Sequence, residues 1–166
     1  FLKPKVPKFD ANSAYPKGTK DLLTELGPEK FSTWLKNEKK IHFTDTTMRD
    51  AHQSLLATRM RTFDMLKVAE GYAKQHPEIF SMEVWGGATF DVCLRFLQEN
   101  PWERLQLLRA KMPNVLLQML IRGSNAVGYT AYADNLIGKF VEQSWENGVD
   151  LFRVFDSLNW MKSIAP

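Results

Sequence analysis

The chain has 166 residues and a formal charge of +3, with 44% hydrophobic, 12% aromatic and 25% charged residues, the make-up of a globular domain. Few glycines and many aromatics exclude collagen and low complexity, and no apolar run reaches the roughly 20 residues of a membrane-spanning helix. Cys93 is the only cysteine, which excludes an internal disulfide and suits a reducing compartment.

The charge is uneven. Residues 1–40 hold nine lysines against five acids, whereas the remainder holds thirteen bases against fourteen acids. Lys3, Lys5, Lys8, Lys17 and Lys20 are scattered among prolines, with no arginine between them. A solvated linker is favoured over a nucleic-acid arm.

The first twenty residues, with Pro4, Pro7, Pro16 and Gly18, read as extended chain. A short helix is predicted from Thr19 through Leu22, Leu23 and Leu26, stopping at Gly27-Pro28. A second places Phe31, Trp34 and Leu35 on one face. Neither forms a core alone, so the region is expected to pack on a neighbour.

Beyond Lys40 four apolar segments recur, Ile41–Thr44, Met82–Trp85, Val115–Ile121 and Val149–Phe155, with starts 41, 33 and 34 residues apart. Helical stripes lie between them: Met65, Leu66, Ala69, Tyr72 and Ala73; then Trp102, Leu105, Leu108 and Met112 after Asn100-Pro101; then Ile137, Phe140, Val141, Ser144 and Trp145, closed by Asn147-Gly148. An extra helical turn fits at Asp91–Gln98. This alternation predicts βα units and a parallel sheet. A doubly wound sheet would usually carry a glycine-rich loop after its first strand, and TDTTMRDAHQS has no glycine. Polar residues cluster where strands end: Asp45, Arg49 and Asp50, then Arg122, then Asp156 and Asn159. That is the pattern of a (β/α)8 barrel, which needs roughly 250 residues. The expected architecture is α/β: the first half, about four βα units, of a (β/α)8 barrel over residues 41–166. Residues 1–40 form a preceding linker or inter-domain segment.

Asp50 is the candidate carboxylate for a hard divalent cation, with a helix cap as the equal alternative. Arg122, just past a strand, suits bidentate carboxylate binding or a surface ion pair. Tyr129 lies in a loop of small residues from which its hydroxyl could reach the same mouth, although a core aromatic with a satisfied hydroxyl is the commoner role of a lone tyrosine. Asp91 is either a site residue or a helix cap. His52 lacks a second histidine at ligand spacing. His42, in the first strand, and His76 read as structural, and Cys93 as a buried, inert thiol.

TDTTMRDAHQSLLATRMRT, with EVWGGATFD, LLQMLIRGSNAVGY and DLFRVFDSLN, resembles the carboxyltransferase domain of biotin-dependent enzymes acting on pyruvate or oxaloacetate. KFDANSAYPKGTKDLLTELGPEKFSTWL is similar to the region preceding that domain in the pyruvate carboxylase family. The resemblance implies that carboxybiotin, brought by a biotin carboxyl carrier domain, yields carbon dioxide that the pyruvate enolate captures as oxaloacetate. It makes Asp50 a ligand of a divalent metal (Mn or Zn), whose other ligands lie in later strands. It gives Gln53 and Arg122 to pyruvate, Arg49 to shaping the pocket, Tyr129 to the region near biotin and substrate, and Asp91 to the pocket wall. It further implies a biotin carboxylase domain using ATP and bicarbonate, a homotetramer, acetyl-CoA as effector, and a bacterial cytoplasmic or mitochondrial matrix location. The competing expectations are an oxaloacetate decarboxylase or transcarboxylase subunit, and a non-catalytic module using its basic arm.

Overall fold

In the computed structural model, which describes residues 6–164, a helical segment α1 (Thr19–Asn37) precedes four strands: β1 (Thr44–Asp45), β2 (Ser81–Trp85), β3 (Leu116–Ile121) and β4 (Leu151–Val154). They pair in parallel, and their spatial order is their order in sequence. Helices α2 (His52–Leu56) and α3 (Thr62–Gln75) connect β1 to β2. Next, α4 (Gly87–Val92) and α5 (Pro101–Lys111) connect β2 to β3, and α6 (Asp134–Glu146) connects β3 to β4; α7 (Met161–Ile164) follows. Sequential strands with helical crossovers are the arrangement of part of a (β/α)8 barrel, whereas a doubly wound sheet reverses strand order at a switch point.

The helix boundaries follow local chemistry. Pro101 occupies the first turn of α5, and the Asn100 side chain accepts the Trp102 N–H at 3.0 Å. Gly148 follows α6 with φ +121°, a left-handed value that glycine adopts without strain. In α3 the predicted stripe faces inward, with Met65, Ala69 and Ala73 fully buried.

The register sorts β2 onto two faces. Glu83 pairs with Gln118, but Trp85 pairs with Met119, so a bulge at Val84 has shifted the ladder by one residue. In a regular strand, alternation would put Glu83 and Trp85 on one face. The bulge instead leaves Glu83 with Ser81, Gln118 and Arg153 inside the barrel and turns Trp85 outward to the helices. There Trp85 packs edge-on against Trp102 at 4.9 Å and stacks on Phe140 at 5.9 Å. These aromatics join Met82, Leu105, Leu108, Leu117 and Met119 in the core between sheet and helices.

At the opposite end, α1 closes the bottom of the strands. Its two predicted helices meet at Gly27, where φ is +75°. Thr19 donates its hydroxyl to the Phe80 carbonyl at 2.8 Å, the Lys20 N–H donates to the Asn114 carbonyl, and Phe31 is buried beside Phe80. A methyl group on Gly18 would fall 2.3 Å from the Asn114 carbonyl oxygen, so only glycine permits this approach. The expected neighbour of this segment is therefore the barrel itself. Lys20 is not part of a solvated arm: it pairs with buried Asp150 at 2.5 Å. Lys17 pairs with Glu25, while Lys3 and Lys5 lie outside the described residues.

β1 differs from expectation. The predicted Ile41–Thr44 becomes Thr44–Asp45, with Ile41 84% and Phe43 70% exposed. β1 is an edge strand among the described residues, so its ladder is supported from one side only. His42 consequently precedes the strand and packs on the Trp34 and Phe80 rings. On the far edge Phe155, Leu158, Trp160 and Met161 are exposed. Two open apolar edges predict that a polypeptide of residues 1–166 alone self-associates. Size-exclusion chromatography should show oligomers, and a monomer with a sharp two-state unfolding transition would contradict this.

Candidate functional site

The site lies where the strands end. After β1 the chain forms a π-helical turn, Thr47–Ala51, that runs into α2. Widened turns of this kind redirect side chains, and they recur at functional sites. Here the turn buries Arg49 in the barrel and leaves the Asp50 side chain 51% exposed at the mouth. The Arg49 Nε donates to Glu83 Oε1 at 2.5 Å, and its Nη2 donates to the same oxygen. Its Nη1 donates to Asp50 Oδ1 at 2.9 Å and reaches Gln53 Oε1 at 3.4 Å. The Arg49 guanidinium thus ties the predicted site residues Asp50 and Gln53 to buried Glu83.

A second cluster forms where β3 ends. Arg122 directs Nη1 to the Gly128 carbonyl at 3.0 Å and holds its guanidinium carbon 5.2 Å from the centre of the Tyr129 ring. The Tyr129 hydroxyl donates to Asp91 Oδ2 at 3.2 Å, and Arg95 Nε donates to Asp91 Oδ1 at 2.6 Å. Arg122 has no carboxylate partner among the described residues, and so forms no ion pair with them. Asp91 is not a helix cap either, because it lies within α4. The loop is shaped by Ala126, whose carbonyl accepts the Arg122 N–H at 2.9 Å while its φ stands at +47°.

The Gly86-Gly87 turn after β2 joins the clusters. A methyl group on Gly86 would touch the Arg49 stem at 3.4 Å, and one on Gly87 would stand 2.8 Å from the Arg122 guanidinium carbon. The two arginines therefore flank consecutive glycines. Gly87→Ala is expected to displace the Arg122 guanidinium and to lower whatever activity depends on its position, though less than truncating the arginine does. Comparison of the two variants in one assay checks this, and wild-type activity in Gly87→Ala would contradict it.

The remaining polar residues are structural. Asp45 accepts the Thr47 N–H at 2.7 Å and the Tyr72 hydroxyl at 2.8 Å. Burial works against its ionised form, but these hydrogen bonds prevail and hold the carboxyl below its usual range. His52 is buried with Nε2 donating to the Met48 carbonyl at 2.9 Å, and burial keeps it neutral. It faces the core and not the mouth. Asp156 accepts the Leu158 and Trp160 N–H groups, shaping the turn that contains Asn159. The Cys93 thiol is fully buried and pushed up to about 11 by burial, as expected of an inert thiol.

Three participants escaped sequence reasoning. Glu83, Gln118 and Arg153 come from three strands and meet inside the barrel, and only pairing register brings them together. A charged residue in an otherwise apolar strand was the available signal for Glu83 and Arg153.

No group of three or more His, Cys, Asp or Glu side chains comes together as a cation site among the described residues. Asp50 offers an exposed carboxylate at the mouth, with Oδ1 held by Arg49. That suits one ligand of a shared metal shell, and not a whole shell.

No family model matches the chain. It is 56% identical over 165 residues to pyruvate carboxylase of Bacillus subtilis, covering 99% of this chain and 14% of that protein. It is also 56% identical over 149 residues to mitochondrial pyruvate carboxylase of Homo sapiens, covering 90% of this chain and 13% of that one. The carboxyl transferase domain of Rhizobium etli pyruvate carboxylase, solved with pyruvate, superimposes with a TM-score of 0.93 at 56% identity, over 98% of this chain and 28% of that one. This chain belongs to the pyruvate carboxylase family. The same domain solved with oxamate and biotin also gives a TM-score of 0.93, at 56% identity over 98% of this chain and 27% of that one. The chain spans about one seventh of its curated pyruvate carboxylase relatives. No helix among the described residues is long and apolar enough to cross a membrane.

Proposed function

We propose that this chain supplies part of the carboxyltransferase site of a biotin-dependent pyruvate carboxylase, which converts pyruvate to oxaloacetate. The observation that carries the reading is the pair of clusters, Arg49-Asp50-Gln53 and Arg122-Tyr129-Asp91, set on either side of Gly86-Gly87 at the strand ends.

Arg122 receives pyruvate. Its guanidinium has no carboxylate partner among the described residues, and it can bind the pyruvate carboxylate and stabilise the negative oxygen that develops as a methyl proton leaves. Gln53 turns its Oε1 toward Arg49, which leaves the Nε2 amide to donate to the substrate. Asp50 would hold a divalent metal, manganese or zinc, completed by ligands from other strands. When bound, the metal supplies Lewis-acid stabilisation of the same enolate. Tyr129 and Asp91 wall the side of the mouth where biotin of a carrier domain would deliver carbon dioxide, and their mutual hydrogen bond fixes the phenol. Arg49 holds Asp50 and Gln53 in register.

In this reading residues 1–40 connect the barrel to neighbouring parts of the enzyme, and residues 41–166 form the first half of the barrel. ATP and bicarbonate act at a separate biotin carboxylase domain. The assembly would be a homotetramer responsive to acetyl-CoA, in bacterial cytoplasm or the mitochondrial matrix.

The test uses the full-length protein with ATP, bicarbonate and pyruvate, following oxaloacetate through coupled NADH oxidation. A streptavidin blot on the same purified band accompanies it. The reading expects ATP-dependent oxaloacetate formation by a biotinylated chain several times heavier than 19.2 kDa. A biotin-free chain with no such activity would overturn it.

A further inference from the structure

We propose that Glu83 is a positioning residue that sets the geometry of Asp50 through Arg49. Glu83 is fully buried, and both of its oxygens are engaged. Oε1 receives Nε and Nη2 of Arg49 and Nη2 of Arg153 at 3.4 Å, while Oε2 receives Gln118 Nε2 at 2.6 Å and lies 3.2 Å from Arg153 Nε in an ion pair. Gln118 is held in turn by the Ser81 hydroxyl at 3.2 Å, and Ser81 by Thr44 at 2.8 Å. All four strands therefore contribute to locking one carboxylate.

The lock has a direction. With Nε and Nη2 of Arg49 committed to Glu83, Nη1 is the nitrogen that reaches the mouth, where it meets Asp50 and Gln53. Adjacent residues on a regular helix do not face each other, so Asp50 meets the Arg49 head only because that head is turned back by Glu83 within the π-helical turn. Stability alone does not require this network, since a buried ion pair is often replaced by apolar residues of similar volume without loss. Partners behind a ligating side chain orient it, and their removal typically costs roughly 10- to 100-fold in metal affinity or activity.

This inference rests on the proposed role of Asp50 as a metal ligand, and the experiment separates the two. Full-length wild type, Glu83→Gln and Asp50→Asn are stripped of metal and titrated with Mn²⁺, with free Mn²⁺ followed by electron paramagnetic resonance. ATP-dependent biotin carboxylation reports that the rest of the enzyme is folded. Glu83→Gln is expected to weaken Mn²⁺ binding roughly 10-fold or more and to lower kcat for oxaloacetate formation, with biotin carboxylation unchanged. Weakened Mn²⁺ binding in Asp50→Asn with wild-type binding and kcat in Glu83→Gln would overturn the inference and leave the Asp50 assignment standing. Wild-type Mn²⁺ binding in Asp50→Asn would overturn the assignment itself, and the inference with it. Should Glu83→Gln fail to fold, Gln118→Met decides: it removes one donor to Oε2, and a smaller loss of the same sign is expected. Unchanged Mn²⁺ binding and kcat in that variant would overturn the inference.

Discussion

Arg122→Ala in the full-length enzyme is expected to lower oxaloacetate formation by about 10²- to 10³-fold, the usual effect of removing a donor aimed at developing negative charge. The guanidinium is held between the Gly128 carbonyl, the Tyr129 ring and the Gly87 backbone, so it is aligned before substrate arrives. Pyruvate carries its charge on the carboxylate, whereas the enolate adds charge at the neighbouring oxygen. A planar, doubly donating group can serve both. Arg122→Lys should recover only a small part of the rate, because an ammonium cannot reproduce the bidentate geometry. Bicarbonate-dependent ATP cleavage should survive in both variants, since the proposed function assigns it to another domain. Measuring the two rates on one preparation checks the prediction, and an unchanged oxaloacetate rate in Arg122→Ala would refute the role.

Asp150→Ala is expected to destabilise the barrel by about 3–5 kcal/mol, the cost of leaving a buried charge without its partner. Asp150 is almost completely buried where it precedes β4. It accepts from Arg109 Nη1 at 2.7 Å, from Lys20 Nζ at 2.5 Å and from the Leu117 N–H at 2.9 Å. Burial pushes the Arg109 guanidinium below its usual range, and Asp150 acts against that shift. Without the carboxylate, Arg109 retains only carbonyls of Met112, Val115 and Gly148, while α1 loses its tie to the fourth strand. Asp150→Asn keeps an acceptor for the Leu117 N–H and should be less damaging. Urea unfolding of the full-length enzyme, followed by tryptophan fluorescence, checks both. A loss below about 1 kcal/mol in Asp150→Ala would show that Arg109 finds compensation elsewhere.

The helices and the sheet were legible because both obey local rules. Asn100-Pro101 and Asn147-Gly148 mark helix boundaries through the chemistry of a few adjacent atoms, and the inward stripe of α3 follows from 3.6 residues per turn. β1 was placed three residues too early because Ile41 and Phe43 are apolar, yet strand extent depends on neighbours that the pattern of one segment does not contain. Within the site, Asp50 and Arg122 stood out as polar residues next to strand ends, Tyr129 and Asp91 were candidates with structural alternatives, and Gln53 came only from the family resemblance. Their grouping into two clusters was not legible, nor was the buried hub at Glu83.

By itself the sequence determined the alternation of strand and helix, the parallel sheet, and the end of the barrel that carries polar chemistry. Each of these rests on periodicity and turn chemistry within about ten residues. Only the tertiary structure decided which polar residues act together. The bulge at Val84 turns Glu83 inward and Trp85 outward, and the Gly86-Gly87 turn lets Arg49 and Arg122 approach from strands that are not neighbours. Register between strands and close passage of backbone are relations between distant segments, and they become fixed only when those segments pack.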